Sequence, residues 1–538
     1  MTKLVRLFVA ASAASLLLVG CGKSESGGGF SKLSNQGKEN TFRYTIVTSP
    51  TTLDPHRVED GDTIDMLSQV YEGLVAWSPK SEVEPAIAES WEIKDGGTTY
   101  VFKIREGVKF HDGKALTAED CKWSLERACN PKLASPVAVT YLDAIVGVRE
   151  KFAGTAPDIK GVTVTGPFEL TVKIDKPRPY FLAKLTYLTS AVLPKDSVAV
   201  DKEIAGPFDM IGTGPFKMAS YVPDSLVKQV AFKDYWGGEP KLLEIERPVV
   251  KDAEARLNKY RSGEVDLVQL ERQQIDPFLK DPKYKDHVKY FDRPAIWYVG
   301  FSPKGYKPFA DVRVRRAFAM AINRDVIVNE LLGGVNKIAT GILPPGVAGA
   351  RETVPGITYN PAEAKSLLAS AGFADGKGLP PLEFNFRDNR PDIKSAAVRI
   401  AEDLKTNLGV SVNIRSMEWG AYLEKRNRGE LQLFHMRWGA DYLDPENFLS
   451  LLLTTNGAEN KIGYSNPKVD TLCAQADVMD NGPDRWSLYA QAEDLILQDA
   501  PWLPLYFQRD AELINPRVTG LRESLFGHLP HTTVELKN

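Results

Sequence analysis

Residues 410–442, VSVNIRSMEWGAYLEKRNRGELQLFHMRWGADY, contain the pattern that decides the fold. Apolar and polar residues alternate over 410–414 and again over 431–438, which is typical of half-buried strands. Residues 419–428, which lie between these two stretches, predict a short helix. A strand, a helix and a second strand in this order predict two parallel strands in an α/β sheet.

The carboxyl ends of two parallel strands meet at one edge of their sheet, and open α/β sheets bind ligands at that edge. The loops that leave the predicted strands there are residues 416–420 and 439–445. The pattern therefore brings Trp419 and Asp441 to the same crevice. A polar loop at 49–61 follows another predicted strand and is a candidate for the facing wall.

Further elements are predicted around this unit. An apolar stripe over residues 391–408 predicts a helix that Gly409 ends. The sequence Asp95-Gly96-Gly97 predicts the turn of a hairpin. Residues 117–120, TAED, resemble a capping box at the start of a helix. We also predict a strand at 42–48 and helices at 62–74, 253–261 and 311–332.

The composition is that of an ordinary globular protein. The chain has 538 residues, of which 25% are charged and 43% hydrophobic. A chain of this length predicts roughly three or four domains. Lys and Arg total 67 against 70 Asp and Glu, so there is no basic excess that would favour binding to nucleic acid.

The first residues have the pattern of a bacterial lipoprotein signal. Lys3 and Arg6 precede an apolar stretch at 7–20, which ends in Leu-Val-Gly-Cys21 and resembles a lipobox. This resemblance implies cleavage before Cys21 and attachment of a diacylglycerol to its sulfur. Residues 24–29, SESGGG, then predict a flexible tether. A plain secretory signal and an uncleaved anchor are the alternatives.

Signatures of catalysis and of metal binding are missing from the sequence. It contains no G-x-S-x-G elbow, no G-x-G-x-x-G after a strand and no H-E-x-x-H, and its six histidines are scattered. We therefore expect no enzyme activity, no cofactor and no resident metal. Beyond the lipobox cysteine, we expect buried free thiols at Cys121, Cys129 and Cys473.

Several segments together carry a family resemblance. Residues 88–92 (AESWE), 100–113 (YVFKIREGVKFHDG) and 116–120 (LTAED) resemble the signature of the peptide-binding class of extracellular solute-binding proteins, family 5. That family includes the oligopeptide-, dipeptide- and nickel-binding components of ABC importers. Supporting segments lie at 212–217, 235–238, 311–317 and 438–442, and the similarity extends from about residue 42 to the end of the chain.

The resemblance implies an α/β, two-lobed periplasmic-binding-protein fold of type II, cluster C, with an additional inserted domain and a hinge between the lobes. Closure of the hinge would remove water from the ligand and strengthen charge pairing. The implied division is a signal peptide at 1–20, a tether at 21–41, domain I at 42–72, 206–295 and 506–538, domain II at 73–205, and domain III at 296–505.

The resemblance also assigns ligand-contacting positions. Asp441 would pair with the α-ammonium of an extended peptide, since an ammonium in a closed cleft needs a counter-charge. Gly439 and Ala440 would give main-chain bonds beside Trp438, and Trp419 would line the cleft. An Asp441 that only caps a turn before Pro445 and a Trp419 in the core are the alternatives.

Other positions match the family less closely. Glu59 and Gly61 match ligand-adjacent positions in the facing loop. Arg426 matches one of two arginines that reach the carboxylate end of the ligand, whereas His435 occupies the position of the other, and neutral histidine is a weaker partner for a carboxylate. An exposed helix charge is the alternative interpretation of Arg426.

The resemblance thus implies a monomeric, lipid-anchored binding protein in the periplasm or on the outer cell surface. It would capture short peptides and deliver them to an ABC transporter permease. Alternatives with the same fold bind a nickel chelate, haem, a murein peptide or another amine-bearing compound. A peptide-sensing receptor and an extracytoplasmic hydrolase are further alternatives.

Overall fold

The computed structural model describes residues 40–388 and 391–537. The predicted signal peptide, the predicted lipidation site at Cys21 and nearly all of the predicted tether lie outside these residues. None of the helices in the described residues is long and apolar enough to span a bilayer.

The described strands, in chain order, are β1 (Thr41–Arg43), β2 (Val75–Trp77), β3 (Val83–Pro85), β4 (Ala88–Lys94), β5 (Thr99–Ile104), β6 (Val162–Gly166), β7 (Glu169–Lys173), β8 (Phe216–Val222), β9 (Leu226–Ala231), β10 (Glu244–Pro248), β11 (Leu267–Gln269), β12 (Val288–Phe301), β13 (Lys337–Ile338), β14 (Glu383–Arg387), β15 (Asn413–Met417), β16 (Leu433–Gly439), β17 (Trp502–Ile514), β18 (Val518–Thr519), β19 (Glu523–Ser524), β20 (Gly527–His528) and β21 (Glu535–Leu536).

The described α-helices are α1 (Gly61–Leu67), α2 (Ala118–Ala128), α3 (Ala138–Leu142), α4 (Val148–Phe152), α5 (Phe181–Lys184), α6 (Ala253–Arg261), α7 (Arg272–Lys280), α8 (Val312–Ala321), α9 (Pro361–Ser370), α10 (Pro391–Leu408), α11 (Trp419–Arg428), α12 (Ser450–Leu453), α13 (Pro467–Ala476) and α14 (Pro483–Asp499). A π-helix at Val326–Leu331 follows α8.

The largest sheet contains the predicted strand–helix–strand unit. Its strand order is β11-β17-β12-β16-β14-β15, with β13 pairing β17 as well. β15 and β16 run parallel, as predicted, but β14 lies between them and pairs in parallel with both. The connecting helix α11 has the predicted bounds. The ends of β14, β15 and β16 therefore share one edge of the sheet, and Asp441 follows that edge.

Two hydrophobic cores cover the two faces of this sheet. Helix α10 packs on one face, and its predicted apolar stripe is buried there. Alternate strand residues, including Tyr298, Phe434 and Trp502, form the second core on the opposite face. Because a strand side chain points to the face opposite that of its neighbour, this alternation decides which residues of β16 enter each core.

β12 and β17 are long paired strands that also reach beyond the main sheet. They pair in antiparallel fashion, and the register shifts between Asp292 and Ile296. β11 pairs the far end of β17, at Ile514. The two strands thus connect the large sheet to the part of the chain that contains β1 and β10, since Tyr44 forms a bridge with Leu267.

A separate antiparallel sheet of order β4-β5-β7-β6 carries its own core, over which α2 packs. The predicted hairpin about Asp95–Gly97 is confirmed. The predicted capping box is confirmed as well, with Thr117 as the N-cap and Asp120 as its reciprocal partner. The cysteines of α2 and its C-cap, Cys121 and Cys129, are buried free thiols, as is Cys473.

Two predicted elements are shorter than expected, and a third is interrupted. In place of the strand predicted at 42–48, the chain forms the three-residue strand β1, which is followed by isolated bridges at Tyr44 and Ile46. The helix predicted for 62–74 ends at Leu67, because the carbonyls of Gln69 and Val70 accept hydrogen bonds from Phe216 and Gly214 instead. Such tertiary partners are not visible in local sequence.

The helix predicted for 311–332 is interrupted. α8 ends at Ala321, where Ile322 adopts an extended conformation. The Asn323 N–H donates to the Asp403 carboxylate on α10, at 2.9 Å. The chain then forms the π-helix, so a contact with a distant helix divides what the sequence predicted as one element.

Candidate ligand-binding site

Asp441 lies just after β16, at the carboxyl edge of the large sheet. Asn447, which is fully buried, fixes the turn: its side-chain oxygen accepts from the Trp438 indole at 3.1 Å and from the Asp441 N–H at 3.2 Å. The Asn447 amide also donates to the Asp441 carboxylate at 3.4 Å. The sequence W-G-A-D therefore folds into a rigid turn that positions this carboxylate.

Among the described residues, Arg437 acts electrostatically on the Asp441 carboxylate but forms no ion pair with it. Among the described residues, no Lys or Arg nitrogen lies within 4.0 Å of it. Burial raises the pKa of Asp441 to about 6, and interactions with Asn447 and Tyr141 offset only part of that effect. A carboxylate held in this way favours a ligand that brings a positive charge.

Tyr141 faces Asp441 from a distant part of the chain. It lies on α3, and its phenol interacts with the Asp441 carboxylate closely enough to affect the pKa of both groups. The Tyr141 ring stacks on Tyr187, with 3.8 Å between the ring centroids. Sequence reasoning missed Tyr141, because α3 is a five-residue helix without a periodic pattern around it.

The loop at 49–61, which was predicted as the facing wall, contacts Tyr187. The Tyr187 hydroxyl donates to the Val58 carbonyl at 3.1 Å. Tyr187 also interacts electrostatically with both Asp441 and Glu59. Glu59 is exposed, and partial desolvation raises the pKa of its carboxyl. Glu59 and Asp441 thus both act electrostatically on the Tyr187 phenol, and the role of Glu59 in ligand binding stays a prediction.

Gly61 is the first residue of α1. Asp60 caps this helix by accepting from the Thr63 N–H at 2.9 Å. A Cβ added to Gly61 would meet nothing within 4 Å. The glycine therefore leaves open space on this wall rather than filling a tight backbone contact.

Trp419 begins α11 at the same sheet edge. Glu418 caps the helix by accepting from the N–H groups of Gly420 and Ala421. The Trp419 ring is half-buried, and the guanidinium of Arg387, the last residue of β14, lies 5.1 Å from its centroid. Trp419 thus forms part of the edge beside the crevice, and Arg387 was not singled out from the sequence.

The main chain at Gly439 and Ala440 is less available than expected. The Ala440 N–H donates to the Pro294 carbonyl at 2.8 Å, because the pairing of β16 with β12 continues beyond the strand end. It is therefore not free to donate to a ligand. A Cβ on Gly439 would lie 2.9 Å from the Arg437 guanidinium, which is the end of a flexible, exposed side chain that can move to make room.

Arg426 and His435 have partners within the protein. Arg426 pairs with Glu459 at 2.9 Å, and its side chain is only 10% exposed. It lines a pocket with Tyr298 and Trp502, so the alternative of an exposed helix charge is wrong. His435 is buried and stacks on Trp297. Both groups thus contact other side chains of the protein, and their role toward a ligand carboxylate stays a prediction.

One His and acid cluster in the described residues has metal-ligand chemistry. Glu512, Glu523 and His528 place possible ligand atoms within 4.8 Å of one another. Burial lowers the pKa of His528, but the two glutamates outweigh it and raise that pKa to about 10. The two carboxylates thus favour the charged form of this imidazole, and the three groups form a largely buried cluster of ion pairs.

Comparison with known proteins decides the family. Residues 82–460 match the family described as bacterial extracellular solute-binding proteins, family 5 Middle. The chain belongs to this family. Its members are solute-binding components of ABC importers, so this chain is a solute-binding component of that kind and acts outside the cytoplasm.

Relatives in the family are named for different solutes. The chain is 32% identical over 492 residues to the probable deoxycholate-binding periplasmic protein YgiS of Escherichia coli, with 90% of each chain covered. It is 30% identical to the periplasmic oligopeptide-binding protein OppA of Salmonella typhimurium, with 87% of each covered. It is also 30% identical to heme-binding protein A of Haemophilus influenzae, with 96% of each covered.

Solved structures confirm the two-lobed family 5 fold. The Escherichia coli murein tripeptide binding protein MppA is 27% identical, and the match has a TM-score of 0.82 and covers 93% of this chain and 99% of MppA. A second MppA structure, described as the unliganded open form, gives 0.75, with 93% and 98% covered. The present chain is thus less similar to the open form.

Proposed function

We propose that this protein captures short peptides between its two lobes and delivers them to an ABC transporter permease. The single observation that supports this most strongly is the Asp441 carboxylate, which is positioned by Asn447, desolvated, and not ion-paired with any Lys or Arg among the described residues. The α-ammonium of a peptide supplies the missing charge. Truncating one member of such a pair typically costs about 2–5 kcal/mol.

The proposed domain division follows the family. Domain I comprises 42–72, 206–295 and 506–538, domain II is 73–205 and domain III is 296–505. Strands β12 and β17 cross the boundaries at 295/296 and 505/506, and the register of their pairing shifts near the first of these. Two crossing strands with an irregular register are a suitable hinge, since a few positions there absorb the change in backbone angles.

The contact of Tyr141 with Asp441 supports a ligand that is enclosed by both lobes. Tyr141 and Tyr187 belong to domain II in this division, and Asp441 belongs to domain III. Closure therefore places a phenol beside the carboxylate and removes water from it. The electrostatic attraction for an ammonium is stronger there than in an open, hydrated site.

We propose further that Cys21 carries the lipid that anchors the protein to a membrane, and that residues 24–29 let the binding lobes move away from the surface. The protein acts as a monomer and releases its ligand chemically unchanged. Mass spectrometry of a ligand before and after incubation with the protein checks the last point.

Isothermal titration calorimetry with defined solutes tests the proposed ligand class. Trialanine should bind to the parent protein and raise its melting temperature. Asp441→Asn should weaken that binding, whereas Asp234→Asn, the same change at an exposed pair with Lys109, should not. Haem, deoxycholate and a nickel chelate are the competing ligands. Tight binding of one of these with no binding of peptides of two to five residues would contradict the proposal.

A further inference from the structure

The two lobes meet at a second place, beside the ligand site. Tyr180 precedes α5 in domain II, and Tyr442 follows Asp441 in domain III. Their rings stack with 5.5 Å between centroids and 7° between planes, and both residues are at most 4% exposed. The Arg485 guanidinium lies 6.0 Å from the Tyr180 ring. Opening the lobes would expose both rings.

The cations at this contact are already neutralised. Arg485 makes a bidentate pair with Asp444, at 2.6 and 2.9 Å, and both groups are buried. Lys184, on the domain II side, donates to Asp143 at 3.1 Å. These two pairs occupy both of these cations, whereas Lys176 in domain II acts electrostatically on Asp477 without forming an ion pair with it.

Two carboxyl groups remain without a cation partner. Glu446 accepts a hydrogen bond from the Tyr442 hydroxyl. Asp477 accepts from Ser450 at 2.7 Å and from Tyr489 at 2.5 Å. Among the described residues, no Lys or Arg nitrogen lies within 4.0 Å of either carboxyl. Two like charges that are both desolvated disfavour double ionisation.

Other titratable or charged groups face Glu446 or the neighbouring carboxyl of Asp477. They are Lys176, Tyr180 and Lys184 in domain II, and Tyr442, Asp444, Cys473, Arg485 and Tyr489 in domain III.

We propose that Tyr180, Tyr442 and Glu446 form a latch that holds the lobes together, and that closing the latch takes up a proton. The stacked rings provide the apolar contact between the lobes. The proton neutralises the Glu446 carboxyl, which closure removes from water. In the open form Glu446 returns to solvent and releases that proton near neutral pH.

The direction of the pH effect follows from linkage. Burial, together with the Asp477 charge, raises the pKa of Glu446 in the closed form. The closed form therefore binds more protons than the open form. The closed form is therefore favoured at low pH, and it loses that advantage as the pH rises through the raised pKa of Glu446. The closed-to-open ratio falls in total by about tenfold for each unit by which the pKa of Glu446 in the closed form exceeds that in the open form.

This inference rests on the two-lobed fold and the proposed domain division, not on the identity of the ligand. It is therefore tested with unliganded protein. A failure of the latch would leave peptide binding at Asp441 untouched, and a failure of peptide binding would leave the latch intact.

Small-angle X-ray scattering of the unliganded full chain at pH 5.5 and pH 8 measures the closed fraction. For the parent protein we expect the closed-to-open ratio to fall by about tenfold or more between these values. Glu446→Gln should stay closed at both, since the amide carries no charge. Glu424→Gln, a change at an exposed pair with Arg428, should behave like the parent protein.

Tyr180→Ala provides an independent variant. It removes the stacked ring and should be open at both pH values, and circular dichroism establishes that it is folded. The proposal is overturned if the parent protein scatters identically at the two pH values, if Glu446→Gln retains the parent's pH dependence, or if folded Tyr180→Ala remains as closed as the parent.

Discussion

The affinity of the protein for an ammonium ligand should depend on pH through Asp441. The carboxyl must be ionised to pair with the ligand, and burial raises its pKa to about 6 in the unliganded structure. At pH 7.5 nearly all of the protein is ready to bind, whereas at pH 5 only about one molecule in eleven is. We therefore expect affinity for trialanine to fall about tenfold between these values, or about 1.4 kcal/mol.

Calorimetric titration with trialanine measures this effect directly. The latch opposes it, because protonated Glu446 favours closure at low pH, so the titration is best made in the Glu446→Gln background. In that background, binding at pH 5 should also release close to one proton, which titrations in buffers of different ionisation enthalpy detect. Adding Asp441→Asn should abolish both the pH dependence and the proton release. Equal affinity at the two pH values in the Glu446→Gln protein would refute the reasoning.

The remaining predictions concern stability and accessibility. Asp54→Asn should lower the free energy of unfolding by about 3–5 kcal/mol, because it strands the fully buried Arg127 guanidinium; a loss below about 1 kcal/mol in urea denaturation would show that the pair is not buried. Gly212→Ala should cost about 1–3 kcal/mol, since its Cβ would lie 2.0 Å from the Val70 carbonyl oxygen, whereas Gly482→Ala meets nothing within 4 Å and should unfold like the parent. Burial raises the pKa of the Cys129 and Cys473 thiols to about 12, so a thiol reagent should label them only in denaturant. Rapid labelling of the native protein would contradict their buried placement.

Much of the large sheet could be predicted from its sequence pattern. The alternating stretches about α11 have a clear period, and the directions of β15 and β16 follow from the helix that joins them. The position of β14 between them could not be predicted, since strand order depends on long-range packing. Helix ends at Leu67 and Ala321 were missed for the same reason: hydrogen bonds from distant residues decide them.

The candidate site was predictable only where it follows the sheet edge. Asp441 and Trp419 lie there because strand direction places them there. Tyr141 reaches Asp441 through the packing of a separate domain, and no local pattern marks it. Arg426 was expected near the ligand, but no local pattern indicates that Glu459, 33 residues away in the chain, pairs with it.

A double cycle of protein and ligand changes tests most directly whether Asp441 neutralises the ligand ammonium. Trialanine and N-acetyl-trialanine are each titrated into the parent protein and into Asp441→Asn at pH 7.5. Acetylation should weaken binding to the parent protein by about 2–5 kcal/mol, and it should weaken binding to the variant by much less, because the charge pair is already lost. If acetylation costs the same free energy in both proteins, the ammonium does not pair with Asp441.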